Sequence, residues 1–295
     1  MTRLRGSWTA VAAVTLFLLS ACARADDTAG PSAPAAERSS APVVAGPDAL
    51  VLRIERLGGF MAPDQQLGRL PTVSVYGDGR IITVGPQVAI YPGPALPNLL
   101  IQQVDPATVT GLLDKAAAAG VKSGADLGRP GVADAPTTRI TVAAPDGTRT
   151  VDAVALTEAQ PDDPRLSTAQ RDARAKLAAF VQEVSDLSAA KGMPKAQPYQ
   201  SAAVAALARP YVRPQDGLPK QPAAVVWPGP ALPGASFGAQ TGCVTAGGPD
   251  AAKVLAAAKT ANAITPWTSA GRTWTVIFRP LLPDETGCAD LKAVR

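Results

Sequence analysis

Histidine is absent from all 295 residues. That absence excludes Ser-His-Asp and Cys-His catalysis, histidine-ligated zinc and imidazole general bases. Glutamate is scarce as well, occurring as Glu37, Glu55, Glu158, Glu183 and Glu285. No two acids stand in a glycosidase-like or aspartic-protease-like setting. Asp162-Asp163 and Asp284-Glu285, each beside proline, read as surface turns. Gly77-Asp78-Gly79-Arg80 reads as a hairpin turn, and no phosphate-cradling glycine loop occurs. The chain is therefore expected not to be an enzyme and to need no cofactor or metal. Basic residues outnumber acidic ones only 28 to 24, and without Arg3 and Arg5 the net charge falls from +4 to +2. The basic residues are scattered along the chain, with no stripe interleaved with aromatics, so a nucleic-acid partner is not expected. No stretch beyond the first residues approaches the 18 or so consecutive apolar positions that a membrane-spanning helix needs.

The N-terminus carries the strongest positive signal. Arg3 and Arg5 form a short basic region, and Trp8 to Leu19 an apolar run too short to span comfortably. Leu19-Ser20-Ala21-Cys22 follows and resembles a bacterial lipobox. The resemblance implies a signal peptide over 1–21, diacylglycerol attached through the Cys22 sulfur, cleavage before Cys22 and acylation of the new N-terminus. Two or three acyl chains hold a protein stably at a bilayer. An ordinary secretory signal ending in Ala-Cys is the alternative. Residues 22–47, lipidated Cys22 followed by Pro, Ala, Ser and Gly in place of large apolar side chains, are expected to form a disordered tether. The expected location is the cell membrane, lipid-anchored on the extracytoplasmic face, with the membrane as one partner. With Cys22 acylated, Cys243 and Cys288 remain, and in an exported domain they are expected to pair. Free thiols or half of a metal site are the rival readings, the second weakened by the missing histidine.

From residue 48 the pattern predicts an α+β fold, with two lobes of antiparallel sheet and packed helices over 48–192 and 193–295. In the first lobe, Val51, Arg53 and Glu55 alternate with Leu52, Ile54 and Arg56 in a strand ended by Gly58-Gly59. A hairpin turning at Gly77–Gly79 comes next, then a strand over 99–104. Asp105 and Pro106 open a helix with Val109, Leu112, Leu113 and Ala116 on one face, stopped at Gly120. A second hairpin turns at Pro145-Asp146-Gly147, and Ser167 opens a long helix closed by Gly192. Gly58-Gly59-Phe60, the Asp78-Gly79 turn and this order of elements distantly resemble emfourin-type inhibitors of thermolysin-like metalloproteases. That resemblance implies inhibition, with 57–66 as the protruding loop. The whole chain more closely resembles secreted lipoproteins of actinobacteria, a resemblance that supplies no particular activity.

The second lobe is expected to open with a short helix over 199–208, followed by an extended proline-rich stretch. A strand at 223–227, a strand into Cys243, a helix from Pro249 to about Ala261 and a strand over 272–278 complete it. One phrase occurs twice: Tyr91-Pro-Gly-Pro-Ala-Leu-Pro97 returns as Trp227-Pro-Gly-Pro-Ala-Leu-Pro233. Three readings stand: coincidence in a biased composition, a strand terminator whose aromatic and leucine pack on the core, or an exposed aromatic-proline platform. Tyr91, Trp227, Trp267 and Phe60 are the candidate binding surface. The expected function is a non-enzymatic surface lipoprotein binding an envelope protein, a peptide or a cell-wall glycan; metalloprotease inhibition is the alternative.

Overall fold

The computed structural model describes residues 46–61, 63–238 and 240–292. The expected signal peptide, Cys22 and the expected tether up to residue 45 lie outside the described residues. The described residues form one compact unit containing two sheets.

Strand β1 (Leu50–Gly58) organises the first sheet, because it pairs antiparallel with β2 (Val73–Tyr76) on one side and with β5 (Pro136–Ala144) on the other. A register shift between Leu50 and Leu52 bulges β1, and both Val51 and Leu52 reach the same core. The flanking strands are β3 (Arg80–Val84), β4 (Leu99–Gln103), β6 (Gly147–Val154) and β7 (Gln197–Pro198), in the order β6-β5-β1-β2-β3-β4-β7. Helices α2 (Pro106–Ala118) and α3 (Thr168–Asp186) cover one face of this sheet. Asp105 caps α2 by accepting the Thr108 N–H at 2.8 Å, and Ser167 and Gln170 form a reciprocal capping box at α3. The apolar stripe of α3 is buried at Leu177, Phe180 and Val184. α3 ends at Asp186, before Gly192, and its last turn tightens into a 3-10 turn over Leu187–Ala189.

The second sheet has the order β10-β11-β8-β13-β12-β9. Its strands are β8 (Ala203–Pro210), β9 (Val225–Val226), β10 (Ala235–Gly238), β11 (Thr241–Gly247), β12 (Trp267–Ser269) and β13 (Arg272–Pro280). All pairs are antiparallel except β9 with β12. The helix expected over 199–208 is instead β8. Its alanines favour a helix in isolation, but β8 lies between β11 and β13, and Val204 to Ala208 are buried on both faces. Small side chains fit where a strand is covered from both sides, and this tertiary setting overrides intrinsic propensity. Helix α4 (Gly248–Lys259) packs on one face with Trp227, Trp267, Trp274 and Phe278. The Cys243–Cys288 disulfide, with Cα atoms 6.0 Å apart, ties the C-terminal segment to β11.

The remaining faces of the two sheets meet. Leu282 joins Tyr76, Ile82 and Leu99 of the first sheet, while Leu67 packs with Leu207 and Leu281 of the second. Leu67 closes α1 (Pro63–Leu67), a short helix inside the segment expected to be loop. The chain passes so close to the second sheet here that a Cβ on Gly68 would lie 2.5 Å from Ile277.

Candidate functional site

Charged residues of β1 lie between the sheets. Alternation along the strand gives Ile54 to the helix-covered core and leaves Arg53 and Glu55 on the opposite face. There they border a cleft of about 710 Å³. Arg56, Leu57 and Gly58 extend one wall, and Gln66, Leu67, Arg69, Leu70 and Pro71 supply a second. Arg209 of β8, Arg279 of β13, Glu285 and Leu291 come from the second sheet and its C-terminal extension. Basic residues that are scattered in the sequence thus converge in space, five arginines against two glutamates among the described lining residues.

Most of these charges are already paired. Asp284 Oδ1 accepts hydrogen bonds from Arg53 Nη2 and Tyr76 Oη, both at 2.8 Å, and Arg53 Nε donates to Ser74 at 3.2 Å. Burial works against the Arg53 charge, but Asp284, with Tyr76 and Glu285, outweighs it and holds the guanidinium above its ordinary value. Burial, reinforced by Asp284, pushes the Tyr76 phenol well up, so it remains a donor. Arg279 Nη2 donates to Glu285 Oε1 at 2.7 Å, while Glu285 Oε2 accepts the Leu282 N–H at 2.8 Å. Burial lowers Arg279, and Glu285 opposes that shift. The Asp284-Glu285 pair is therefore no surface turn: its proline-bounded bend carries both carboxylates onto buried arginines. Asp163 is also buried rather than a surface residue, and accepts the N–H groups of Gly131 and Arg165 at 2.8 Å each.

Two cleft residues differ from this pattern. Glu55 is 8% exposed, and no described group donates a hydrogen bond to its carboxylate. Burial raises its pKa, offset in part by Arg53, Arg139 and Arg279. Arg69 donates Nη1 to the carbonyls of Arg56 and Gly58, at 2.9 and 3.0 Å, and makes no ion pair among the described residues. Burial and the neighbouring Arg56 charge both lower it. Arg56 itself pairs with Glu158 and donates to Thr157 at 3.2 Å.

The residues singled out in the sequence are dispersed. Phe60 is 96% exposed, at the tip of the bend after β1, and borders a smaller cavity of about 340 Å³ that shares Gly58 and Arg69 with the main cleft. Tyr91 is 62% exposed, and its hydroxyl donates to Asp216 at 2.8 Å. Trp227 and Trp267 cannot belong to a binding surface, because they are 6% and 1% exposed. Their rings meet edge-on at 5.7 Å and both pack on Phe278. Apolar bulk explains this placement, with the Trp227 indole N–H satisfied by the Pro230 carbonyl at 2.7 Å. The repeated phrase serves as scaffold in both copies. Leu232 of the second copy and Ala95 and Leu96 of the first reach the same core around Trp227. The first copy is fastened there through Gly93, whose carbonyl accepts the Ala263 N–H at 2.8 Å.

Among the described residues no group of three or more Cys, Asp or Glu side chains could hold a metal ion, and no helix is long and apolar enough to cross a membrane. The cleft residues were missed in the sequence because they come from β1, the α1–β2 connection, β8, β13 and the C-terminal turn. The available signal was Arg53 and Glu55 alternating with apolar residues on a strand. No family model matches the chain, and comparison with curated proteins and with solved structures likewise returned no match.

Proposed function

We propose that this is a lipid-anchored protein on the extracytoplasmic face of the cell membrane that acts by binding rather than catalysis, with the cleft between its sheets as the binding site. The membrane assignment rests on the lipobox-like Leu19–Cys22 and the composition of the tether. The observation that carries the binding reading is the state of the cleft's carboxylates. Glu285 has both oxygens engaged, so no free pair of acids remains among the described residues of the cleft for acid–base chemistry. A volume of about 710 Å³ suits a ligand of small-molecule size. The test is native mass spectrometry of the full chain extracted from membranes, beside a Gln66→Trp variant that fills the cleft. A small molecule carried by the wild type and lost from the variant supports the reading. Bare protein in both, with no thermal shift on adding envelope extract, overturns it.

Metalloprotease inhibition remains a second reading because of Phe60. The exposed ring stands on a bend braced by Arg69 and by Gln66, whose amide donates to the Met61 carbonyl at 3.0 Å. Inhibition of a thermolysin-like protease that disappears in Phe60→Ala would favour it, and no inhibition by the wild type would reject it.

A further inference from the structure

Arg53, Arg56 and Arg279 are neutralised within the protein by Asp284, Glu158 and Glu285. Among the described residues Arg69 is not, although its neighbour Arg56 lies close enough to lower its pKa. Two of its donors, Nε and Nη2, make no hydrogen bond among the described residues, because only Nη1 is used for backbone carbonyls. A guanidinium presents such donors as a planar fork matching two oxygens of one carboxylate or phosphate, and an oxyanion there would supply the counter-charge that no described residue gives Arg69. Leucines share the same walls: Leu57 beside Arg56, Leu67 two residues before Arg69, and Leu291 from the C-terminal segment. An inorganic ion would fill little of the cleft and cover none of these side chains.

Resting on the reading of the cleft as the binding site, we propose that its ligand is an anionic amphiphile, with a carboxylate or phosphate head held by Arg69 beside Arg56 and an apolar body laid along Leu57, Leu67 and Leu291. Glu55 is, among the described lining residues, the carboxylate without an ion-pair partner, and its charge opposes such a head.

The test titrates the full chain in nanodiscs by calorimetry, subtracting empty nanodiscs. The probes are octanoate, octyl phosphate, acetate, inorganic phosphate, octanol and octyltrimethylammonium. Octanoate or octyl phosphate binds, whichever head the site prefers, and acetate and inorganic phosphate bind at least about ten-fold more weakly. Arg69→Gln weakens the anion by about ten-fold or more, and Arg69→Lys, which keeps the charge but loses the fork, falls between. Glu55→Gln tightens the same probe several-fold, a gain that a disturbed fold would not produce. Octanol or octyltrimethylammonium binding as tightly as the anions overturns the anionic head. So does unchanged affinity in Arg69→Gln. Inorganic phosphate matching octyl phosphate overturns the apolar body. If the neutral or cationic probe binds and Gln66→Trp blocks it, the cleft stands as the site and only the ligand class falls. If no probe binds and no molecule co-purifies, both readings fall.

Discussion

Arg174 is a charged residue on the buried face of α3, and it is satisfied by backbone. Its Nη2 donates to the carbonyls of Val154 and Ala155 at 2.7 Å, and Nη1 to that of Leu127 at 3.3 Å. Burial lowers its pKa. Arg174→Ala leaves these carbonyls without a donor in the interior, a loss of about 2–4 kcal/mol that urea denaturation would read. Glu55 gives the opposite sign. Its pKa is raised in the folded state by burial, against Arg53, Arg139 and Arg279, so the folded protein holds the proton more readily than the unfolded chain. Stability is then lost as pH rises from the ordinary carboxylate pKa through the raised one. Glu55→Gln should melt above the wild type at neutral pH, and the gap should close below the carboxylate range. An equal Tm at both ends would contradict this account.

Elements whose ends carry their own chemistry were legible in the sequence. The Asp105 and Ser167 caps and the turns at Gly79 and Gly147 fix α2, α3 and two hairpins with contacts only a few residues apart. Strand β8 was not legible, since alanines read as helix until β11 and β13 are placed beside them. The repeated phrase shows the same limit. Its two aromatics occupy equivalent places in the sequence, yet one is core and the other surface. Trp227→Ala should therefore cost about 3–5 kcal/mol, and Tyr91→Ala less than about 1 kcal/mol. Comparable losses in thermal denaturation would show that the two copies are used alike.

At the scale of the whole molecule, the C-terminal segment is the fastener. Leu282 reaches the first sheet's core, Asp284 pairs with Arg53 of β1, and Cys288 is bonded to β11. A crosslink spanning 45 residues contributes about 3–4 kcal/mol in the chain-entropy model, so the Cys243→Ser, Cys288→Ser double variant should unfold at correspondingly lower urea. Amide exchange in 281–288 should also rise; unchanged exchange would mean that Asp284 and Glu285 suffice to hold the segment. For the full chain in cells, Cys22→Ala should abolish lipid labelling and leave the protein unprocessed, and unaltered processing would refute the lipobox reading.

The sequence by itself determined what depends on composition and near neighbours: no histidine chemistry, the lipobox-like start, the capped helices, the hairpins and the α+β class. Only the tertiary structure decided which side chains meet. It brought Arg53, Arg69 and Arg279 to one cleft, turned Asp284 and Glu285 inward, and buried Trp227 and Trp267 while leaving Tyr91 and Phe60 in water. The physical reason is range. Caps and turns act over three or four residues, whereas burial and ion pairing are set by segments that can lie more than two hundred residues apart in the chain, as Arg53 and Asp284 do.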